Sequence, residues 1–99
     1  FVTTQSLGEG NQVPEPDHKL AEKAITFYHE KKYRRALKPL NELIRRNPFN
    51  EELYKMRGYC RYATNNRLGA CEDYQKIQNL LHRSIPPVAQ DICLGYEVK

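Results

Sequence analysis

The sequence predicts an all-α protein made of two antiparallel helix pairs, and three observations carry that reading. The first is a self-similarity at a spacing of 34 residues: Ala24, Ala36, Leu40, Leu43 and Pro48 are answered by Gly58, Ala70, Tyr74, Ile77 and His82, and Leu20 by Tyr54. A period in this range marks one supersecondary unit stacked on a copy of itself. The second is that apolar residues inside each unit recur at three- and four-residue steps, which lines one face of a helix. The third is a composition of 39% hydrophobic residues with a mean hydropathy of −0.81. That is thin for a single globule but suits helices that each bury one face. Ninety-nine residues allow one small domain and no more.

Residues 1–16 hold Gly8, Gly10, Asn11, Pro14 and Pro16 without apolar periodicity, which predicts a flexible lead-in. Asp17 suits the N-cap of helix one, over about 18–31, where Leu20, Ala24, Phe27 and Tyr28 form the apolar face. Lys31, Lys32 and Tyr33 make a tight turn into helix two, about 34–46. Its buried stripe is expected at Ala36, Leu37, Leu40, Leu43 and Ile44. Pro39 lies inside that stretch and removes the amide that would bond to the Arg35 carbonyl, so a kink or a loosened first turn is expected.

Asn47, Pro48, Phe49 and Asn50 end helix two, because the residue before a proline disfavours helical backbone. Asn50 is the expected cap of helix three, with Glu51 and Glu52 complementing the dipole of its first turn. Leu53, Tyr54, Gly58, Tyr59, Tyr62 and Ala63 make its apolar face, and one asparagine of Thr64-Asn65-Asn66 supplies a left-handed residue to close it. Helix four, about 67–81, places Leu68, Ala70, Cys71, Tyr74, Ile77, Leu80 and Leu81 at helical spacing. After Pro86 and Pro87, residues 88–95 allow one or two further turns, and a short strand or tail through Tyr96, Glu97 and Val98 is equally open.

The segment from Tyr54 through Arg57, Gly58 and Tyr62, followed by Gly69, Ala70, Asp73, Tyr74, Lys76 and Ile77, resembles the tetratricopeptide repeat. Residues 17–50 look like the preceding repeat, with Leu20, Ala24, Phe27, Ala36, Leu40, Leu43 and Pro48 in the signature places. The resemblance covers 17–84 and implies a tetratricopeptide-like right-handed solenoid: repeat one at 17–50, repeat two at 51–84, and a C-terminal capping element or tail at 85–99. Departures are His82, where the family usually has proline, the internal Pro39, and Arg61 at a place often aromatic. Two repeats fall short of the roughly three needed for a stable stack. The remaining surface is therefore covered by residues 85–99, by an upstream part, or by a homodimer through the last helix.

In this family the first helix of each pair lines a concave peptide groove. The resemblance places His18, Ala21, Ile25, Tyr28 and His29 there from helix one, and Lys55, Met56, Tyr59 and Tyr62 from helix three. Ala21, Ile25 and Met56 stand where chaperone co-factors carry a lysine and asparagine carboxylate clamp, so binding of chaperone tails is not implied.

The net charge is +4, and residues 17–50 carry nine Lys/Arg against four Asp/Glu. Lys31, Lys32, Arg34, Arg35, Lys38, Arg45 and Arg46 crowd one stretch, either as a solvated helix face or as a patch for nucleic acid or an anionic membrane surface. Cys60, Cys71 and Cys93 match no zinc spacing. They read as packing residues at Cys60 and Cys71, or, in an exported protein, as one bridge plus one free thiol. The opening Phe-Val-Thr-Thr-Gln-Ser-Leu-Gly is compatible with the tail of an export signal, with an arbitrary fragment edge, or with the end of another repeat, so exported, periplasmic and cytoplasmic settings all stay open.

Nothing in the chain is arranged for catalysis. His18, His29 and His82 form no metal-binding motif, and no glycine-rich phosphate loop occurs. Glu51-Glu52 and Glu72-Asp73 read as cap and surface charge, and no cysteine has a local signature for a histidine-activated nucleophile. No enzyme, cofactor or metal is implied, and no stretch approaches the roughly 18 apolar residues needed to span a bilayer. The expected function is a protein–protein interaction scaffold that binds a peptide or partner helix. The alternatives are a basic surface-binding module acting through residues 31–46, or a structural or dimerisation piece of a larger protein.

Overall fold

A computed structural model describes residues 14–85 and 87–94. Among these the chain is all helical, with α1 at Asp17–His29, α2 at Tyr33–Arg46, α3 at Glu51–Ala63, α4 at Arg67–Asn79 and α5 at Pro87–Cys93. Each helix packs on the next in chain order. The expected lead-in over 1–13 and the option of a strand through 96–98 lie outside the described residues.

The start of α1 differs from expectation. Pro16 occupies the cap position with extended backbone, and its carbonyl accepts from the amides of Lys19 and Leu20. Asp17 is already in the first turn, and its carboxylate does not cap. It accepts from Nη1 of Arg46 at 2.9 Å and from Nδ2 of Asn47 at 3.2 Å, tying the start of α1 to the end of α2. In the second pair Asn50 caps α3 as expected, and Asn66, for which no capping role was expected, caps α4. Asn50 Oδ1 accepts from the Glu52 amide and Asn66 Oδ1 from the Gly69 amide, each satisfying an amide that the helix leaves unpaired.

The turns that end α1 and α3 are built alike, 34 positions apart. Lys31 (φ 61°) and Asn65 (φ 71°) both take left-handed backbone. In one turn the amides of Lys31 and Lys32 donate to the carbonyls of Tyr28 and Phe27; in the other, those of Asn65 and Asn66 donate to Tyr62 and Arg61. This crossed pair of bonds is the Schellman closure. Tyr33, expected in the turn, is the first residue of α2.

The residues of the echo occupy matching sites. Leu20 and Tyr54, Ala24 and Gly58, Ala36 and Ala70, Leu40 and Tyr74, Leu43 and Ile77 are all buried. Ala24, Ala36, Leu40 and Cys60 form one core cluster; Ile44, Tyr54, Ala70, Tyr74, Ile77, Ala89 and Ile92 form the other, and the half-buried Leu53 touches both. Gly58 is where α3 meets the Tyr74 ring: a Cβ there would lie 3.1 Å from it. Helix α2 runs on through Pro39, which is buried, while Leu37 is only half-buried.

Several expectations are corrected. Helix α4 ends at Asn79, so Leu80 and Leu81 fall outside it, and Leu68 and Leu80 are exposed. Of the residues expected on the apolar face of α3, Tyr62 and Ala63 are exposed, while Cys60 is buried, in keeping with its reading as a packing residue. Helical spacing ranks faces by their apolar content, and it does not tell which flank of a tyrosine-rich helix stays in solvent. Asp73, read as surface charge, is 1% exposed. Its carboxylate is held by Nε and Nη2 of Arg57 and faces Nη1 of Arg61 at 3.3 Å.

For the cysteines, one bridge plus one free thiol is what the fold contains. Cys71 and Cys93 are disulfide-bonded with Cα atoms 4.9 Å apart, and Cys60 is free and buried. Cys60 and Cys71 are both fully buried, as packing residues would be, and Cys71 is in addition a staple to α5. Beside it, Nε and Nη2 of Arg67 donate to the carbonyls of Ile92 and Asp91, satisfying acceptors at the end of α5.

Candidate interaction surfaces

Three helices bring tyrosines together on one surface. The rings of Tyr28 from α1, Tyr33 from α2 and Tyr59 from α3 form a triangle with centroids 5.5 to 5.9 Å apart and edge-to-face tilts. Tyr62 extends it at 6.3 Å from Tyr59, and His29 at 6.0 Å from Tyr28. Offset and edge-on geometries suit the ring quadrupoles, so the cluster is held by its own pairs as well as by the core below. Tyr28, Tyr33 and Tyr59 are half-buried, whereas Tyr62 is 43% exposed.

Burial raises the Tyr28 phenol above its ordinary value; for Tyr33 burial acts first, then the nearby Tyr59 phenol. Both hydroxyls are thus neutral near pH 7 and able to donate as well as accept. Tyr33 was not among the groove candidates. Its only signal in the sequence is its place directly after the turn that follows Tyr28, where a Schellman closure folds the chain back on itself.

The other groove candidates separate. Lys55 is engaged by Glu51 at 3.1 Å and Glu52 at 3.5 Å, and Met56 packs partly buried against the first core cluster. His18 and His29 are exposed, and Ile25 is exposed beside them on α1. The surface offered to a ligand is accordingly tyrosine and histidine, with its lysine already paired.

No protein-family model matches the chain, and no match is found among curated proteins or solved structures. Function has to be argued from the surfaces themselves.

The basic run is divided by its ion pairs. Arg45 and Arg46 converge on Glu42, and Arg46 also holds Asp17, so these two cations already have carboxylate partners within the chain. Hydrogen bonds from Arg45 and then Arg46 pull the Glu42 carboxyl down to about 2. Lys32 pairs with Glu30 at 3.1 Å. Lys31, Arg34, Arg35 and Lys38 are exposed and make no ion pair among the described residues.

Among the described residues no group of three His, Cys, Asp or Glu side chains is placed to hold a metal ion, and no helix is long and apolar enough to cross a membrane. Burial pushes the Cys60 thiol up to about 11, which keeps it protonated and a poor nucleophile near neutral pH.

Proposed function

We propose that the chain is a two-repeat, tetratricopeptide-like interaction scaffold that binds an extended peptide or a partner helix on the face bearing Tyr28, His29, Tyr59 and Tyr62. The observation that carries this reading is the tyrosine triangle with its exposed extension at Tyr62, assembled from α1, α2 and α3. Tyrosine supplies large rigid contact area at small entropic cost, plus a hydroxyl for orientation, and interface hot spots are rich in it. The repeat reading is supported by the matched burial of the residues 34 apart and by the twin Schellman turns at Lys31 and Asn65.

The test is to select binders from a displayed peptide library on the wild-type chain and to titrate the selected peptides. Tyr59→Ala with Tyr62→Ala should weaken them at least about tenfold, the scale of a hot-spot loss. Replacing Arg34, Arg35 and Lys38 with glutamine should leave them unchanged. Peptides indifferent to the tyrosine pair would overturn the reading.

A further inference from the structure

We propose that the α1–α2 pair carries a second, independent docking groove, and that its occupant is an acidic amphipathic helix of a partner protein. The groove has a volume of about 1200 Å³ and is lined solely by residues between 14 and 46, so α1, α2 and the two residues leading into α1 form it without a side chain from α3. It shares no residue with the tyrosine face and does not depend on it.

Its floor is apolar: Leu20 and Phe27 from α1, Leu37 and Pro39 from α2. Leu20 and Phe27 stand two helical turns apart on one side of α1, with Phe27 and Leu37 only half-buried. The rim is cationic. Lys23 is held by Glu15 at 2.7 Å, and Arg45 and Arg46 are taken by Glu42. That uses up both carboxylates lining the groove and leaves Arg34, Arg35 and Lys38 exposed without an ion-pair partner among the described residues.

Arg34 and Lys38 are one turn apart on α2, with Arg35 between them. A guest helix with an apolar stripe at i, i+3, i+4 and i+7 and carboxylates flanking it would seat its stripe on the floor and its acids against these cations. Charge complementarity selects the acidic guest. The apolar floor argues against nucleic acid, because phosphates would engage the rim and leave the exposed edges of Phe27 and Leu37 uncovered.

The experiment uses the full chain and two synthetic, helix-stapled peptides of about 16 residues, sized to about four turns. Both carry leucines at i, i+3, i+4 and i+7, flanked by glutamates in one and by glutamines in the other. Fluorescence anisotropy should show the glutamate peptide binding at least about tenfold more tightly, with an affinity that falls as salt rises. Arg34→Gln with Arg35→Gln and Lys38→Gln should erase that preference, and Leu37→Ser should weaken both peptides.

Leu37 also packs on the core, so a second arm does not depend on it. Reversing the three cations to glutamate should transfer the preference to a lysine-flanked peptide. Tyr59→Ala with Tyr62→Ala should change none of this, which separates failure here from failure of the tyrosine reading.

Five results would overturn the proposal, the last of them a change of oligomeric state. The first three are equal affinity for the glutamate and glutamine peptides, loss of binding with the tyrosine pair alone, and no transfer of preference on charge reversal. The fourth is tighter binding of phosphatidylserine vesicles or duplex RNA that depends on the three cations but not on Leu37. Sedimentation showing a dimer that the glutamine variant dissolves would assign the groove to a second copy, and would equally overturn it.

Discussion

Arg57 clasps the buried carboxylate of Asp73 with two nitrogens, Nη2 at 2.7 Å from Oδ1 and Nε at 3.0 Å from Oδ2. Its remaining arm, Nη1, donates to Oδ1 of Asn41 at 3.0 Å. One guanidinium on α3 therefore fastens α2 on one side and α4 on the other. Burying these charges is expensive, so the pair stabilises the fold only because the geometry is bidentate and the residual acceptor capacity is met by Arg61. Removing one partner strands the other in the interior. Asp73→Asn is expected to destabilise the chain by about 3 kcal/mol, and replacing both Arg57 and Asp73 with methionine and leucine by much less. Urea unfolding midpoints of the three proteins check this; a small loss in the single variant would show that the clasp is not a stability determinant.

The Cys71–Cys93 bridge closes a loop of 22 residues of separation and holds α5 against α4. Chain-entropy reasoning assigns such a loop about 3 kcal/mol. Cys93→Ser should lower the unfolding midpoint accordingly, and should increase amide exchange at Ala89 and Ile92, which are buried in the second core cluster. Thiol titration gives an independent reading. Cys60 is the free thiol, shielded and held protonated by burial. Reaction with a disulfide reagent should be negligible in the native protein and should reach one equivalent on unfolding without reductant.

Lys31 takes left-handed backbone at φ 61°, at the place where the second pair has Asn65 at φ 71°. A side chain with a Cβ is strained there by roughly 1 kcal/mol, which glycine escapes and asparagine partly relieves. Lys31→Gly is expected to raise stability by about 0.5–1 kcal/mol, and Asn65→Ala to lower it by a similar amount. Thermal melts of the two variants should move in opposite directions.

Glu42 sets an acid limb of stability. Its folded carboxyl lies at about 2, against an ordinary 4.5, because Arg45 and Arg46 hydrogen-bond to the charged form. A carboxylate whose pKa is depressed by folding stabilises the native state fully above its unfolded pKa, and that contribution is lost as pH falls through the folded value. Asp17 is lowered in the same direction by Arg46 and Asn47. The melting-temperature gap between wild type and Glu42→Gln should be widest above about pH 5 and should close toward about pH 2. A gap independent of pH would mean that the ion pair contributes nothing.

The helix pairs were legible because their signals are local. Ala24 with Ala36 and Gly58 with Ala70 mark close helix approach through side-chain size alone, and Asn50 announces a helix start through its own short acceptor. Three- and four-residue spacing also exposed most of the buried stripe of α2. Glu42 stands three and four residues before Arg45 and Arg46, the spacing of helical ion pairs, yet the sequence reading counts both cations in the basic patch, and the structure shows them paired.

Other features depend on residues far apart in the chain. Asp73 looks like surface charge until α3 brings Arg57 over it, and a charged residue carries no periodic signal of its burial. Three cysteines permit several pairings, and the one found exists because α5 folds back across α4. The tyrosine triangle draws on α1, α2 and α3 at once, and the groove lined by α1 and α2 is basic because its carboxylates are consumed by particular neighbours. Propensity, spacing and capping act within a turn or two, so they specify helices and their inward faces along the chain. Which charges remain free and which rings meet are settled only by packing, since each depends on the partner that another helix delivers.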